Sequence, residues 1–195
     1  MEKESFGSKR QLSIGLCLFV AALLQVSLVQ FVSGGFRYVD WLLLVVIYLG
    51  LQQRSYMIAL VTATIAGIIK DLSSGGGVLA VSGIAYLFAA YVADRTASII
   101  VLDNLAIRFG TVAAASLINT ILQLIIYQIL GFPLAPLTGQ ENILAVIVLS
   151  LIANLIASAV VFYAMDGLFK AATGLGLRRT EAMRSLRRRR FRKIR

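Results

Sequence analysis

Apolar residues in this chain come in long unbroken runs, not in the alternating or one-faced spacing of soluble strands and helices. Leu12 to Ser33 is the first run, long enough for the ~20 residues of a membrane-spanning helix. Lys9 and Arg10 precede it, as they would in a secretory signal, but the apolar region of a signal is only ~7–15 residues. The run therefore reads as a first span, 12–33. Val39 to Leu51 and Tyr56 to Ile69 follow, separated by Gln52-Gln53-Arg54-Ser55. A single span over 39–69 would put Arg54 near the bilayer centre, at a cost of at least ~2.5 kcal/mol. Two short helices, 39–51 and 56–69, with a turn at an interface fit better. Lys70-Asp71-Leu72-Ser73-Ser74-Gly75-Gly76-Gly77 breaks the pattern, since consecutive glycines disfavour helix. Further spans are predicted at 78–93, closed by Asp94-Arg95, at 109–130, and at 143–165. Both prolines fall in the turn Gly131 to Pro136. The predicted architecture is an all-α integral membrane protein of about six spans over residues 1–169, followed by a basic tail, 170–195.

Composition agrees. The 195 residues are 59% hydrophobic and 14% charged, against ~45–50% and ~25% for soluble domains. Net charge is +10, and the excess lies in residues 170–195, where Glu181 is the one acid. With a single cysteine and no histidine, a disulfide framework and the common zinc sites are excluded. Cys17, inside an apolar run, reads as a small filler. Six spans put both termini on one side, and both termini are basic. Arg54, Arg95 and Arg108 fall on that side too, leaving Arg37 and Lys70 on the other, so the Lys/Arg bias makes both termini cytoplasmic. Four spans with a re-entrant hairpin over 39–77 would keep the same parity, but Arg54 at the hairpin tip argues against that arrangement.

Several features are candidates for function. Ala59, Ala63 and Gly67, and likewise Ala85, Ala89 and Ala93, recur every four residues. Such stripes let helices approach closely, either within one bundle or against another membrane protein. Asn119 and Gln123 share one helix face, and Ser150, Asn154 and Ser158 share another. They predict interhelical hydrogen bonds or, alternatively, a polar-lined ligand pocket. Asp71 with Gly75, Gly76 and Gly77 predicts a turn at the outer interface, the carboxylate accepting backbone N–H groups. Asp40, Asp71, Asp94 and Asp166 all fall near predicted span ends, which argues against a pump. Without histidine no nucleophile–base pair is visible, and no phosphate-loop or dinucleotide motif occurs. No enzymatic activity, cofactor or metal is expected. In the tail, Met183, Leu186, Phe191 and Ile194 lie loosely on one helical face among Arg187, Arg188, Arg189, Arg190 and Arg192. That pattern fits a basic segment on an anionic leaflet, with a disordered topology anchor as the alternative. Nucleic acid is not an expected partner, because no aromatic platform is present.

The middle of the chain resembles the MreD family of rod shape-determining proteins. The residues that carry the resemblance are Val39-Asp40-Trp41-Leu42-Leu43-Leu44, then Gly67-Ile68-Ile69-Lys70-Asp71-Leu72-Ser73-Ser74-Gly75, and finally Asp94-Arg95. The family has an Asp-Leu-Leu type start to its second span and a Gly-x-x-x-Asp-Leu-x-Ser-Gly type break after its third. Gly67 and Asp71 match the second pattern at the same spacing. The first departs from it, with Val39 where proline is common and Trp41 in place of leucine. The resemblance covers about residues 39–95, and the arginine tail is not a family hallmark. It implies a non-enzymatic role in lateral cell-wall synthesis in the bacterial cytoplasmic membrane. The implied partners are an MreC-like protein, the MreB filament, a polymerase of the shape/elongation/division/sporulation class and a class B penicillin-binding protein. It also implies a fold similar to the S components of energy-coupling-factor vitamin transporters, and so an alternative role as a substrate-binding S component.

Overall fold

The computed structural model describes residues 2–31, 38–52, 56–73, 80–99, 105–132 and 142–192, with side chains placed for those within 12–27 and 38–169. Among them the secondary structure is helical, in six helices and without strands. They are α1 (Glu2–Phe31), α2 (Trp41–Leu51), α3 (Tyr56–Ser73), α4 (Val81–Ile99), α5 (Leu105–Ile129) and α6 (Ile143–Arg192). Among the described residues, three stretches are long and apolar enough to cross a membrane: Tyr56–Ser73, Leu105–Ile129 and Ile143–Phe169. Leu12–Ser27 and Trp41–Leu51 are shorter apolar helical stretches.

Several predicted boundaries need correction. The third span was expected to end at Ile69, yet α3 continues through Lys70 and Asp71 to Ser73. The fourth was expected over 78–93, yet α4 starts at Val81 and passes Asp94 and Arg95 to Ile99. The fifth begins at Leu105, four residues before Phe109. In each case a charged residue taken as a helix boundary lies within a helix. Arg95, for example, reaches back one turn, where Nε meets the Tyr91 hydroxyl at 3.3 Å and the guanidinium stands 5.3 Å from the ring centre. The last helix departs furthest from expectation. It runs unbroken for 50 residues from the sixth predicted span into the basic tail.

The chain forms two compact units, Leu18–Val161 and a second made of Met1–Cys17 with Phe162–Arg195. In the larger unit α2 is the centre. Every residue from Leu42 to Leu51 is buried, and the helix packs on α3, α4 and α5. Its sequence, Trp-Leu-Leu-Leu-Val-Val-Ile-Tyr-Leu-Gly-Leu, is apolar on all sides, which suits burial all round. At eleven residues it is roughly 16 Å long, about half of the ~30 Å hydrocarbon layer.

Small residues allow the helices around α2 to close on one another. Ala59, Ala63, Ala66 and Gly67 of α3 are buried, as are Gly83, Ala85, Ala89, Ala90, Ala93 and Ala97 of α4. At the α3–α4 crossing, a Cβ on Gly67 would stand 2.3 Å from the Gly83 Cα, so only glycine fits there. At the α2–α4 crossing, a Cβ on Gly50 would stand 2.8 Å from the Ala93 Cβ. The alanines read as either packing or partner-facing thus lie inside the chain's own helix contacts.

Candidate functional site

Among the described residues, ten buried polar or charged ones interrupt the apolar interior, and the densest group gathers at the start of α2. Asp40 is the N-cap of that helix and is itself buried. Its Oδ1 accepts the Leu43 N–H at 3.2 Å, the local capping bond that a helix start requires. The same oxygen accepts the Tyr86 hydroxyl of α4, and Oδ2 pairs with the Lys70 ammonium of α3. Lys70 also stands 5.3 Å from the centre of the Tyr86 ring, in cation–π range. The Asp40 backbone N–H donates to Asn154 Oδ1 of α6 at 2.8 Å. Asn154 Nδ2 in turn donates to Ser116 Oγ of α5 at 2.8 Å. One short segment is therefore tied to four helices, α3 to α6, by side chains up to 114 residues away in sequence.

A carboxylate in an apolar interior is costly unless paired and hydrogen-bonded. Here both oxygens of Asp40 are engaged. Lys70 keeps 17% of its side-chain surface and Asp40 keeps 9%, so the pair is largely removed from solvent. Next to it, the Trp41 N–H donates to Gln25 Oε1 of α1 at 3.0 Å. The Trp41 indole Nε1 is buried without a partner among the described residues.

Asp71 forms a second, smaller centre. It was expected in a turn with the glycines that follow, but it lies in the last turn of α3 and is buried. Both of its oxygens accept the Ser82 N–H, at 3.2 Å each, at the start of α4. The reason is local. Ala80, just before that helix, has φ 79° and a side chain that cannot cap, so the neighbouring helix supplies the acceptor that an N-terminus lacks. Gly75, Gly76 and Gly77 lie outside the described residues.

The predicted polar stripe resolves into distinct pairings. Gln123 Nε2 donates to Asn119 Oδ1 at 3.1 Å, within α5. Asn154 belongs to the Asp40 centre, and the Ser158 hydroxyl donates to the Leu155 carbonyl of its own helix at 2.7 Å. All four residues are buried. Of these bonds, those of Asn154 join α6 to the start of α2 and to α5, while the other two stay within one helix. Lys70, Tyr86 and Ser116 were not singled out from the sequence. Lys70 read as a loop residue, and nothing in an apolar helix marks which tyrosine or serine faces a carboxylate. Among the described residues no group of three His, Cys, Asp or Glu could hold a metal ion. The arginines Arg187, Arg188, Arg189, Arg190 and Arg192 lie on the last part of α6, and their side chains are outside the described set.

Comparison with curated proteins and with solved structures finds no match. A family model does match: that of the rod shape-determining protein MreD, over residues 7–171. That span includes α2 to α5 whole, most of α1, the apolar stretch of α6, the Asp40 centre and the Asp71 cap. The chain belongs to the MreD family, whose members are membrane-associated and take part in determining rod shape.

Proposed function

We propose that this chain is a non-enzymatic, multi-pass scaffold of the bacterial cell-wall elongation machinery, with both termini in the cytoplasm. It works beside an MreC-like protein, the MreB filament, a shape/elongation/division/sporulation polymerase and a class B penicillin-binding protein. The observation that carries this reading is the family match over residues 7–171. The interior is consistent with it. Asp40, Lys70, Tyr86, Asn154 and Ser116 bond to each other, which favours a fixed helical frame over a site that opens to bind and release. A frame of this kind offers partners its outer helix faces, where large apolar side chains such as Phe19, Val61, Phe88 and Ile156 are exposed. The test is affinity capture of the tagged full chain from native membranes in mild detergent, with co-purifying proteins identified by mass spectrometry. An MreC-like protein together with cell-wall synthases is the expected result. Recovery of an ATPase module with its membrane coupling subunit would overturn it in favour of a transporter S component.

A further inference from the structure

The family match ends at residue 171, while the chain continues to Arg195. That remainder carries the positive excess of the molecule, with Glu181 its one acid. The sequence left it open whether the segment is ordered. The structure continues α6 from the apolar stretch Ile143–Phe169 to Arg192 without a break. The basic segment is therefore a helix joined directly to a membrane helix.

Its register is informative. At ~100° per residue, the positions of Met183, Leu186 and Phe191 fall within an arc of about 140°. Arg187 and Arg190 share that arc, whereas Arg188 and Arg192 fall outside it. A soluble polyanion gains nothing from the apolar positions. The boundary between head groups and acyl chains uses both kinds, since arginine stems cover apolar surface while the guanidinium reaches a phosphate. The segment also begins where a membrane helix ends, so its encounter with that leaflet is intramolecular and the local concentration of head groups is high. Gly174 and Gly176 lie between the apolar stretch and Arg178. Glycine is the weakest common residue in a helix interior short of proline, so a bend toward the bilayer costs least there.

We infer that residues 178–192 form a docking helix for anionic phospholipid head groups of the leaflet from which α6 emerges. This function is added to the family's membrane domain, and it stands apart from the identity of the wall-synthesis partners. The test places the full chain in nanodiscs of phosphatidylcholine alone or with phosphatidylglycerol and follows amide hydrogen exchange. Exchange over 178–192 is expected to slow at least about fivefold in the anionic discs. The protection should disappear in about 0.5 M salt, where the Debye length falls well below 10 Å. Arg187→Gln, Arg188→Gln, Arg189→Gln and Arg190→Gln combined should abolish it, while α3 to α5 keep their exchange pattern and so report an intact fold. Equal exchange in the two kinds of disc would overturn the inference. So would protection that appears in neutral discs only on adding RNA, which would assign the segment to nucleic acid.

Discussion

Helix α2 and the membrane stretch of α6 are both continuous apolar runs, yet they meet opposite surroundings. Trp41–Leu51 is buried from Leu42 onward, whereas only 17% of the most apolar 18 residues of Ile143–Phe169 are buried inside the protein. Residue type does not separate them, because leucine, isoleucine and valine dominate both. Length does. At eleven residues α2 cannot cross the hydrocarbon layer, and its N-terminus must find partners inside the protein. Gln25 and Asp40 accept N–H groups of its first turn, Asn154 accepts the Asp40 N–H, and Lys70 and Tyr86 hold the Asp40 carboxylate. With 27 residues the membrane stretch of α6 can satisfy its backbone alone and leave Leu144, Ile152, Ile156 and Val160 facing outward. An apolar run in a membrane protein thus has two meanings, and here its length tells them apart.

This contrast can be broken most severely at the Asp40 pair. Lys70→Met leaves a buried carboxylate without its cation and should cost about 3 kcal/mol, the low end for a broken buried pair because Lys70 retains some exposure. Adding Asp40→Asn should recover most of the loss, since the amide oxygen still accepts from Tyr86 and Leu43. Denaturation in mixed micelles measures both variants. A double variant as unstable as the single one would remove the charge argument.

Within the core of α2, Leu43→Ala should cost about 2 kcal/mol. The alternative solvent for this side chain is lipid, so the loss is chiefly that of packing around the cavity left behind. At the α3–α4 crossing, Gly67→Ala should cost about 1 kcal/mol or more, because the new Cβ meets backbone and the overlap exceeds the gain in helix propensity. Gly83→Ala sharpens the test, since its Cβ meets nothing within 4 Å and should be neutral or slightly stabilising. The smallest effect is expected on α6. Ile156→Ala should change folding stability by less than about 0.5 kcal/mol, because the side chain is 69% exposed. A large loss there would place that face against protein instead of lipid.

How far the fold was legible follows from the same residues. Long apolar runs gave the helical membrane class, and the i, i+4 spacing placed Asn119 and Gln123 on one face, where they bond. The small-residue stripes pointed to close helix contact, but the sequence could not say whether with the chain's own helices. Helix ends at Lys70, Asp71 and Asp94 were misplaced because a charge in a sequence looks like solvent exposure. The groups that engage Lys70 and Asp71 are 30 and 11 residues distant, beyond the reach of local pattern. The Asp40 centre was half legible: the acid at the start of a span was visible, while its capping role and its links to Tyr86, Asn154 and Ser116 acquire meaning only once α2 to α6 surround it. The basic tail showed its charge in the sequence, but not that α6 would carry it onward as helix.

The role of this MreD-family frame in rod shape can be checked by depleting the protein in its own cells while following cell outline and the sites of new wall insertion. Cells are expected to widen and round as insertion along the side wall becomes disorganised, and re-expression of the intact chain should restore rods where Lys70→Met does not. Unchanged rods with normal side-wall insertion after full depletion would contradict that role.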